Sequence, residues 1–395
     1  MARTTVIGGG IGGLAAALAT AAAGGTAVVL ERAPEFAELG AGIQIAPNGM
    51  RALELLGVAD RVREIAVRLE ELRFMNGVSG ELVTRVPLTE EYRARFGRSY
   101  AVVHRAELHR ILVEACADSD RIDLRGGCRV VGYEQDRTSA TAVLDSGERV
   151  SGAALIGADG IRSAVRAQLL GDGDPLVAGI TVYRAIVPMA EVPEEFRVNA
   201  ATWWTGPGQH FVHYPIAGGK FMNLAPSRET GVRTAFGDVP VAREDVLDWF
   251  APLSETARRL LRVAGEWRSW SLIDRAPVEQ WCEGRVALLG DAAHPSLHYL
   301  AQGACQALED AVELGGLLGD ARTDVAGRLR EYTARRQPRT ARVQRTARAS
   351  IGLWHAAGAA AQRRDEVLRS MSVTDLHDRL DWMHRAPEFA ADSAT

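Results

Sequence analysis

Six residues near the N-terminus constrain this chain more than any others. Gly8-Gly-Gly10-Ile-Gly-Gly13 is a G-x-G-x-x-G pattern held between an apolar run and an alanine-rich one. Thr4 to Ile7 reads as a short buried strand, Leu14 to Ala23 as a helix ending at Gly24-Gly25, and Thr26 to Leu30 as a second buried strand. Strand, tight turn, helix and strand in that order form the βαβ unit of a parallel sheet. Each glycine has its own task in such a turn: Gly8 permits the bend, Gly10 lets backbone approach a pyrophosphate, and Gly13 lets helix pack on strand. The free N–H groups at the helix N-terminus offer positive potential to phosphate. Glu31 ends the second strand, 18 residues beyond Gly13, where an acid accepts hydrogen bonds from ribose hydroxyls. NAD and FAD both satisfy this unit, so other segments must choose between them.

With 395 residues, 47% of them hydrophobic, the chain has material for two or three domains. A net charge of -4 with 24% charged residues argues against a nucleic-acid partner. Cys116, Cys128, Cys282 and Cys305 form no C-x-x-C pair, so neither a disulfide framework nor a zinc site is expected, which fits a reducing cytoplasm. The uncharged run from Thr4 to Val29 is long enough for a signal peptide or membrane span. Its glycines are too dense for a continuous apolar helix, and no other segment reads as a span.

Further along, Arg51 to Leu56 and His104 to Ala117 show helical spacing, residues near 70 to 100 alternate like strands, and Val130 to Val150 reads as a hairpin around Asp145-Ser-Gly147. From Val182 to about Ile273, alternation, tryptophans and turn glycines indicate a second, mostly antiparallel sheet. A long helix is expected from Gly303, and the last 60 or so residues read as helical and arginine-rich, with Arg335, Arg336, Arg339, Arg342, Arg345 and Arg348 as a solvated face.

Two more motifs follow buried strands. Gly157-Ala-Asp-Gly-Ile-Arg-Ser163 follows Ala153 to Ile156, and Gly290-Asp-Ala-Ala-His-Pro295 follows Val286 to Leu289. Both fall at carboxyl ends of strands, where open α/β sheets bind ligands. With three motifs in this order, the chain from Thr4 to about Gln337 resembles the para-hydroxybenzoate hydroxylase-like FAD-dependent monooxygenases, and most of all their salicylate and 3-hydroxybenzoate hydroxylase branch. The resemblance implies an α/β fold: a Rossmann-like FAD-binding domain of the glutathione-reductase type, an antiparallel substrate sheet and C-terminal helices. The domains read as 1–75, 101–181 and 279–340 for FAD, 76–100 and 182–278 for the sheet, and 341–395 for the helical end.

The resemblance also assigns roles. Asp291 takes the FAD ribityl chain, Asp159 and Gly160 serve FAD and the pyridine nucleotide, and Arg105 touches FAD. The loop Gly40 to Asn48, with Gln44, lies beside the flavin ring, and Arg32 and Pro295 join the cofactor-binding set. No second G-x-G-x-x-G follows a strand, which matches a family where NADH or NADPH visits transiently. Independently, a helix beginning at Gln302-Gly303-Ala304 would aim N–H groups at the negative edge of a reduced flavin.

His294 and His298 stand four apart, but Pro295 between them disfavours a metal-binding helix, and no metal is expected. His210 and His213, three apart in a strand-like segment, would point to opposite faces. In the family branch a histidine in a similar strand acts on the substrate phenol, and His213 is the candidate here, with His298 beside the flavin motif as a second. Tyr183, Arg184 and Tyr214 are candidate substrate contacts, the arginine suiting a carboxylate. The implied reaction is hydroxylation of a small phenolic acid by NAD(P)H and O2 through a flavin C4a-hydroperoxide, in a monomer or homodimer. The same fold acting on a larger natural product, or a non-catalytic FAD-binding protein, stand as alternatives. Halogenation is disfavoured because no W-x-W-x-I-P segment occurs.

Overall fold

Short, buried apolar runs build the centre of the first sheet. The computed structural model describes residues 3–38, 40–319, 324–390 and 392. Its six-stranded sheet runs in the order Cys282–Glu283, Val286–Leu288, Ala154–Gly157, Arg3–Ile7, Thr26–Leu30, Ile122–Arg125. All pairings are parallel except that of the edge strand Cys282–Glu283. Burial on both faces explains why the four central strands carry no polar alternation, whereas the edge strand Ile122–Arg125 alternates and exposes Asp123. Helices Ile11–Ala22 and Gly303–Leu318 pack together on the sheet, alanines and glycines at the contact: a Cβ on Gly315 would lie 2.5 Å from that of Ala19.

The second sheet has eight strands: Val239–Val241, Trp267–Asp274, Leu176–Pro188, Phe221–Glu229, Gln209–Ile216, Ala200–Gly206, Glu71–Asn76 and Leu82–Pro87. It is antiparallel except where Ala200–Gly206 meets Glu71–Asn76. Because Glu71–Asn76 and the start of Leu176–Pro188 belong to it, this sheet begins before the 76 and 182 read from sequence. Helix Val325–Trp354 likewise runs unbroken through 340.

Three departures from the sequence reading have local causes. Residues 90–96 are helical, not extended, with Tyr92 and Phe96 four apart on one buried face against His377 and His384. Arg243–Trp249 and Glu255–Leu261 are helices whose Val246, Ala257, Leu260 and Leu261 cover the outer face of the large sheet. The segment 130–152 is a three-stranded meander, because the Asp136 carboxylate accepts from the N–H groups of Thr138 and Ser139 and makes an earlier turn. The arginines of Val325–Trp354 do not all face water: Arg336 is buried and Arg339 reaches inward to Glu309. Among the described residues no helix is long and apolar enough to cross a membrane.

Candidate active site

The glycine turn moulds one end of a long cleft. A Cβ on Gly13 would lie 1.9 Å from the Gly8 carbonyl oxygen, so helix and strand end can close only on a bare Cα. Gly10 is the converse. A Cβ there would meet nothing within 4 Å, and no side chain caps the N–H groups of the 12-residue helix behind it. Glu31 accepts from the N–H of Gly9 at 2.7 Å and of Ala33 at 2.9 Å, which leaves lone pairs for a sugar hydroxyl. A cavity of about 570 Å³ opens here, lined by Gly8, Gly10, Glu31, Arg32, Asp159 and Gly160. Asp159 is also an anchor: it accepts from the Ser163 hydroxyl and the Ala164 N–H, and burial raises its pKa.

This cavity continues into a second, of about 340 Å³, with Gly10, Arg105 and Gly160 lining both. Gln44, Asp291 and the uncapped N-terminus of Gly303–Leu318 form part of its wall. Arg105 pairs with Glu38 while its Nε is buried without a partner, and Gln302 Nε2 is buried without one as well. Open donors along an elongated cleft, a bare Gly10 and an exposed Asp291 fit a dinucleotide carrying a flavin.

A buried ionic network fixes the turn that carries Asp291. Asp310 Oδ2 accepts from the Gly290 N–H at 3.1 Å and from His294 Nε2 at 2.5 Å, and Oδ1 accepts from Arg336 Nε at 2.7 Å. Burial would raise the Asp310 carboxyl, but His294 and Arg336 outweigh it and hold it low. Glu309 accepts from Arg336 at 2.5 Å and from Asn48 at 2.6 Å, tying in the Pro47–Leu55 helix. From the other side the fully buried Arg166 donates to the carbonyls of Ala292 and Ala293 at 2.9 and 2.7 Å and pairs with Asp172.

Facing this turn, the large sheet presents Val182, Arg184, Trp203, Val212 and Tyr214 to the second cavity. Arg184 stacks over Trp270 at 5.2 Å and has no carboxylate partner among the described residues; burial lowers its pKa. Tyr214 is pushed up to about 12 by burial. His298 closes the cavity, its Nε2 3.3 Å from Nε2 of His210, which is fully buried behind it. His210 Nδ1 in turn lies 2.8 Å from His355 Nε2. Burial lowers His210 well below the usual histidine range, and burial with the Arg184 charge holds His298 at about 3. Both are therefore neutral at pH 7, each with one bare ring nitrogen.

The family model described as "FAD binding domain" matches residues 1–347. The chain belongs to this family. It is 43% identical to 3-hydroxybenzoate 6-hydroxylase 1 of Aquipseudomonas alcaligenes, over 96% of both chains. It is 39% identical to 3-hydroxybenzoate 6-hydroxylase of Klebsiella oxytoca, over 97% of this chain and 96% of that one. The crystal structure of Klebsiella pneumoniae HpxO with FAD and uric acid superposes with a TM-score of 0.85 at 28% identity, covering 96% of this chain and 95% of that one. This FAD-binding family member is a flavoprotein aromatic monooxygenase.

Within the family frame, three sequence expectations need correction. His213 lies on the outer face of the sheet, packed with Phe196 and Phe211, both ring nitrogens buried without a partner. Strand alternation puts positions 210, 212 and 214 on the cavity side, so His210 stands where His213 was expected to act. Tyr183 fails for the same reason: it packs on Trp249 and Phe250, and its neighbour Arg184 faces the cavity. Pro295 is buried behind the wall formed by Ser296 and Leu297, its carbonyl accepting from Gln344. Sequence reasoning missed His355 and Arg166 and read Arg336 as solvated; each has a partner on a separate element. His210 was legible by parity with Tyr214, since i and i+4 share a strand face. His294 is committed to Asp310 and His298 to His210, so that pair does not converge, and among the described residues no group of three or more His, Cys, Asp or Glu could hold a metal.

Proposed function

We propose that this enzyme uses NADH or NADPH and O2 to hydroxylate a small benzoate bearing a phenolic hydroxyl, with 3-hydroxybenzoate the first candidate. One observation carries the reading: a single cavity is lined by an arginine without a carboxylate partner, by His298 backed by the fully buried His210, and by an uncapped helix N-terminus. The names of the relatives support it, since they are phenolic-acid hydroxylases.

Arg184 would take the carboxylate through its guanidinium fork, strongly so in a site with little water. Trp203 and Val212 would flank the ring. His298, backed by His210, would accept the phenol proton, because a phenolate ring is the better nucleophile. Gly8, Gly10, Glu31 and Arg32 would hold the adenosine end of FAD, Asp159 and Gly160 its middle, and Arg105, Gln44 and Asp291 the flavin end. The bound, reduced flavin supplies the activated oxygen. The N–H groups at Gly303 would stabilise negative charge on the flavin ring. Four unpaired cysteines support a reducing cytoplasmic setting, and a monomer or a homodimer is the assembly we put forward.

The test is NADH and NADPH oxidation by the holoenzyme across hydroxybenzoates, aminohydroxybenzoates and hydroxypyridines, with products identified by mass. A ring that accelerates oxidation and gains one oxygen establishes the substrate. Bound flavin with no stimulation by any of them refutes the proposed substrate class.

A further inference from the structure

The histidine pair does not end inside the protein. His355 follows the last residue of helix Val325–Trp354 and is itself buried, yet its Nδ1 lies 2.9 Å from Oε1 of Glu229, whose side chain is 54% exposed. Four side chains from four elements therefore form an unbroken line from the cavity to solvent: His298, His210, His355 and Glu229, with contacts of 3.3, 2.8 and 2.9 Å. The backbone is fixed to suit. The Gly208 N–H donates to the His355 carbonyl at 3.0 Å, and the Glu229 N–H to the Gly208 carbonyl at 2.8 Å.

The hydrogen-bond pattern assigns the tautomers. A Glu229 carboxylate can only accept, so His355 carries its proton on Nδ1 and has a bare Nε2. That nitrogen accepts from His210 Nδ1–H, with the Tyr299 hydroxyl also in reach at 3.2 Å. His210 Nε2 is then bare and accepts from His298 Nε2–H, which leaves His298 Nδ1 as the acceptor at the cavity end. Every donor points outward. Resting on the phenol-hydroxylating function just proposed, we infer that His355 and Glu229 are the proton exit of this site, carrying the proton of the bound phenol to solvent through His298 and His210.

The step balances without a further reactant. The phenol O–H breaks and its proton bonds to His298 Nδ1, while the Nε2 proton passes to His210 Nε2. The Nδ1 proton of His210 passes to His355 Nε2, and the Nδ1 proton of His355 to Glu229, which releases it to water. The phenolate keeps the electron pair. Protonation of the product along the same line in reverse restores the tautomers. Groups facing His355 are Glu229, His210, His298 and Tyr299; the Arg364–Asp365 pair sits nearby, where Arg364 donates to the Leu353 carbonyl. A proton in transit on His355 is favoured by Glu229 and by the C-terminal dipole of a 30-residue helix. Burial outweighs Glu229 and lowers the resting pKa of His355, so the imidazole waits neutral, as a relay must.

The experiment mixes oxidised holoenzyme rapidly with 3-hydroxybenzoate in weakly buffered solution containing phenol red, and follows proton release. In the parent enzyme, release should accompany ligand binding. Glu229→Gln keeps an acceptor for His355 but cannot take the proton, and its site is exposed enough to fold normally. Release should slow about tenfold or more and recover with added phosphate or imidazole buffer. His355→Leu should slow it at least as much, with ligand affinity unchanged and partial rescue by imidazole. Parent-like release rates in Glu229→Gln would overturn the inference whether or not His355→Leu folds. If the parent enzyme binds 3-hydroxybenzoate without releasing a proton, or does not bind it, the functional reading fails and not merely the exit path.

Discussion

His210 and His213 sit three residues apart on one strand and face opposite sides of the eight-stranded sheet. His210 meets His298 at the cavity, while His213 is enclosed by Phe196, Trp204 and Phe211 with neither ring nitrogen hydrogen-bonded. The two histidines should therefore respond to substitution in opposite ways. His210→Ala should lower kcat about 100-fold or more, the size of a general-base contribution. His213→Phe should leave kcat within a factor of about 2, since the site is aromatic and no hydrogen bond is lost. Steady-state kinetics on the two variants decides it; a large kcat loss in His213→Phe alone would reverse the assignment.

His213 should also be visible in acid stability. Burial lowers its pKa from 6.5 to about 3, so between those values the unfolded chain binds a proton that the folded chain does not. Stability is then lost as pH falls below 6.5, and the loss stops near pH 3. His213→Phe should flatten the acid limb by about 1.4 kcal/mol per pH unit in that window. Denaturant unfolding at several pH values measures the slope, and an unchanged slope counts against the buried neutral state.

Arg184 should govern affinity more than turnover. Replacing it by Met removes the cavity's unpaired cation while keeping its apolar stem. A charge-assisted hydrogen bond is worth about 1.5–3 kcal/mol, so KM for a carboxylate substrate should rise roughly 10–100-fold. Binding of an uncharged phenol should change little. Comparing 3-hydroxybenzoate with the corresponding amide separates these effects.

Gly10 and Gly13 distinguish cofactor fit from fold. Gly10→Ala adds a methyl that meets no protein atom within 4 Å, so the chain should fold normally and lose FAD affinity. Gly13→Ala drives its methyl to 1.9 Å from the Gly8 carbonyl oxygen and should damage the apoprotein itself. Thermal unfolding of apoprotein beside flavin titration reads both; equal apoprotein damage in the two variants would refute the distinction.

Asp310 should be among the most costly residues to change. Asp310→Asn leaves Arg336 with one of its two carboxylate partners in a buried setting, where breaking an ion pair costs about 3–5 kcal/mol. A double-mutant cycle with Arg336→Met should show strong coupling, and additive effects would refute the network as drawn.

The glycine-turn end of the cleft was legible in sequence because its signals are local. The turn Gly8 to Gly13, the strand that follows and Glu31 lie within one βαβ unit, and their spacing is set by backbone geometry that no distant residue alters. Gly290-Asp291 and Asp159-Gly160 were legible for the same reason, each directly following a buried strand. Sequence also determined that His210 and His213 must diverge, since alternation is a property of any strand. Which of the two faces the cavity was decided only when helices Arg243–Trp249 and Glu255–Leu261 covered one side of the sheet and the segment from Leu289 to Gly303 faced the other. The line from His298 to Glu229 and the Arg336–Asp310 lock were likewise tertiary decisions. Their members are separated by up to 145 and by 26 residues, and polar side chains on separate elements acquire partners only when packing excludes water and leaves each of them one place to bond.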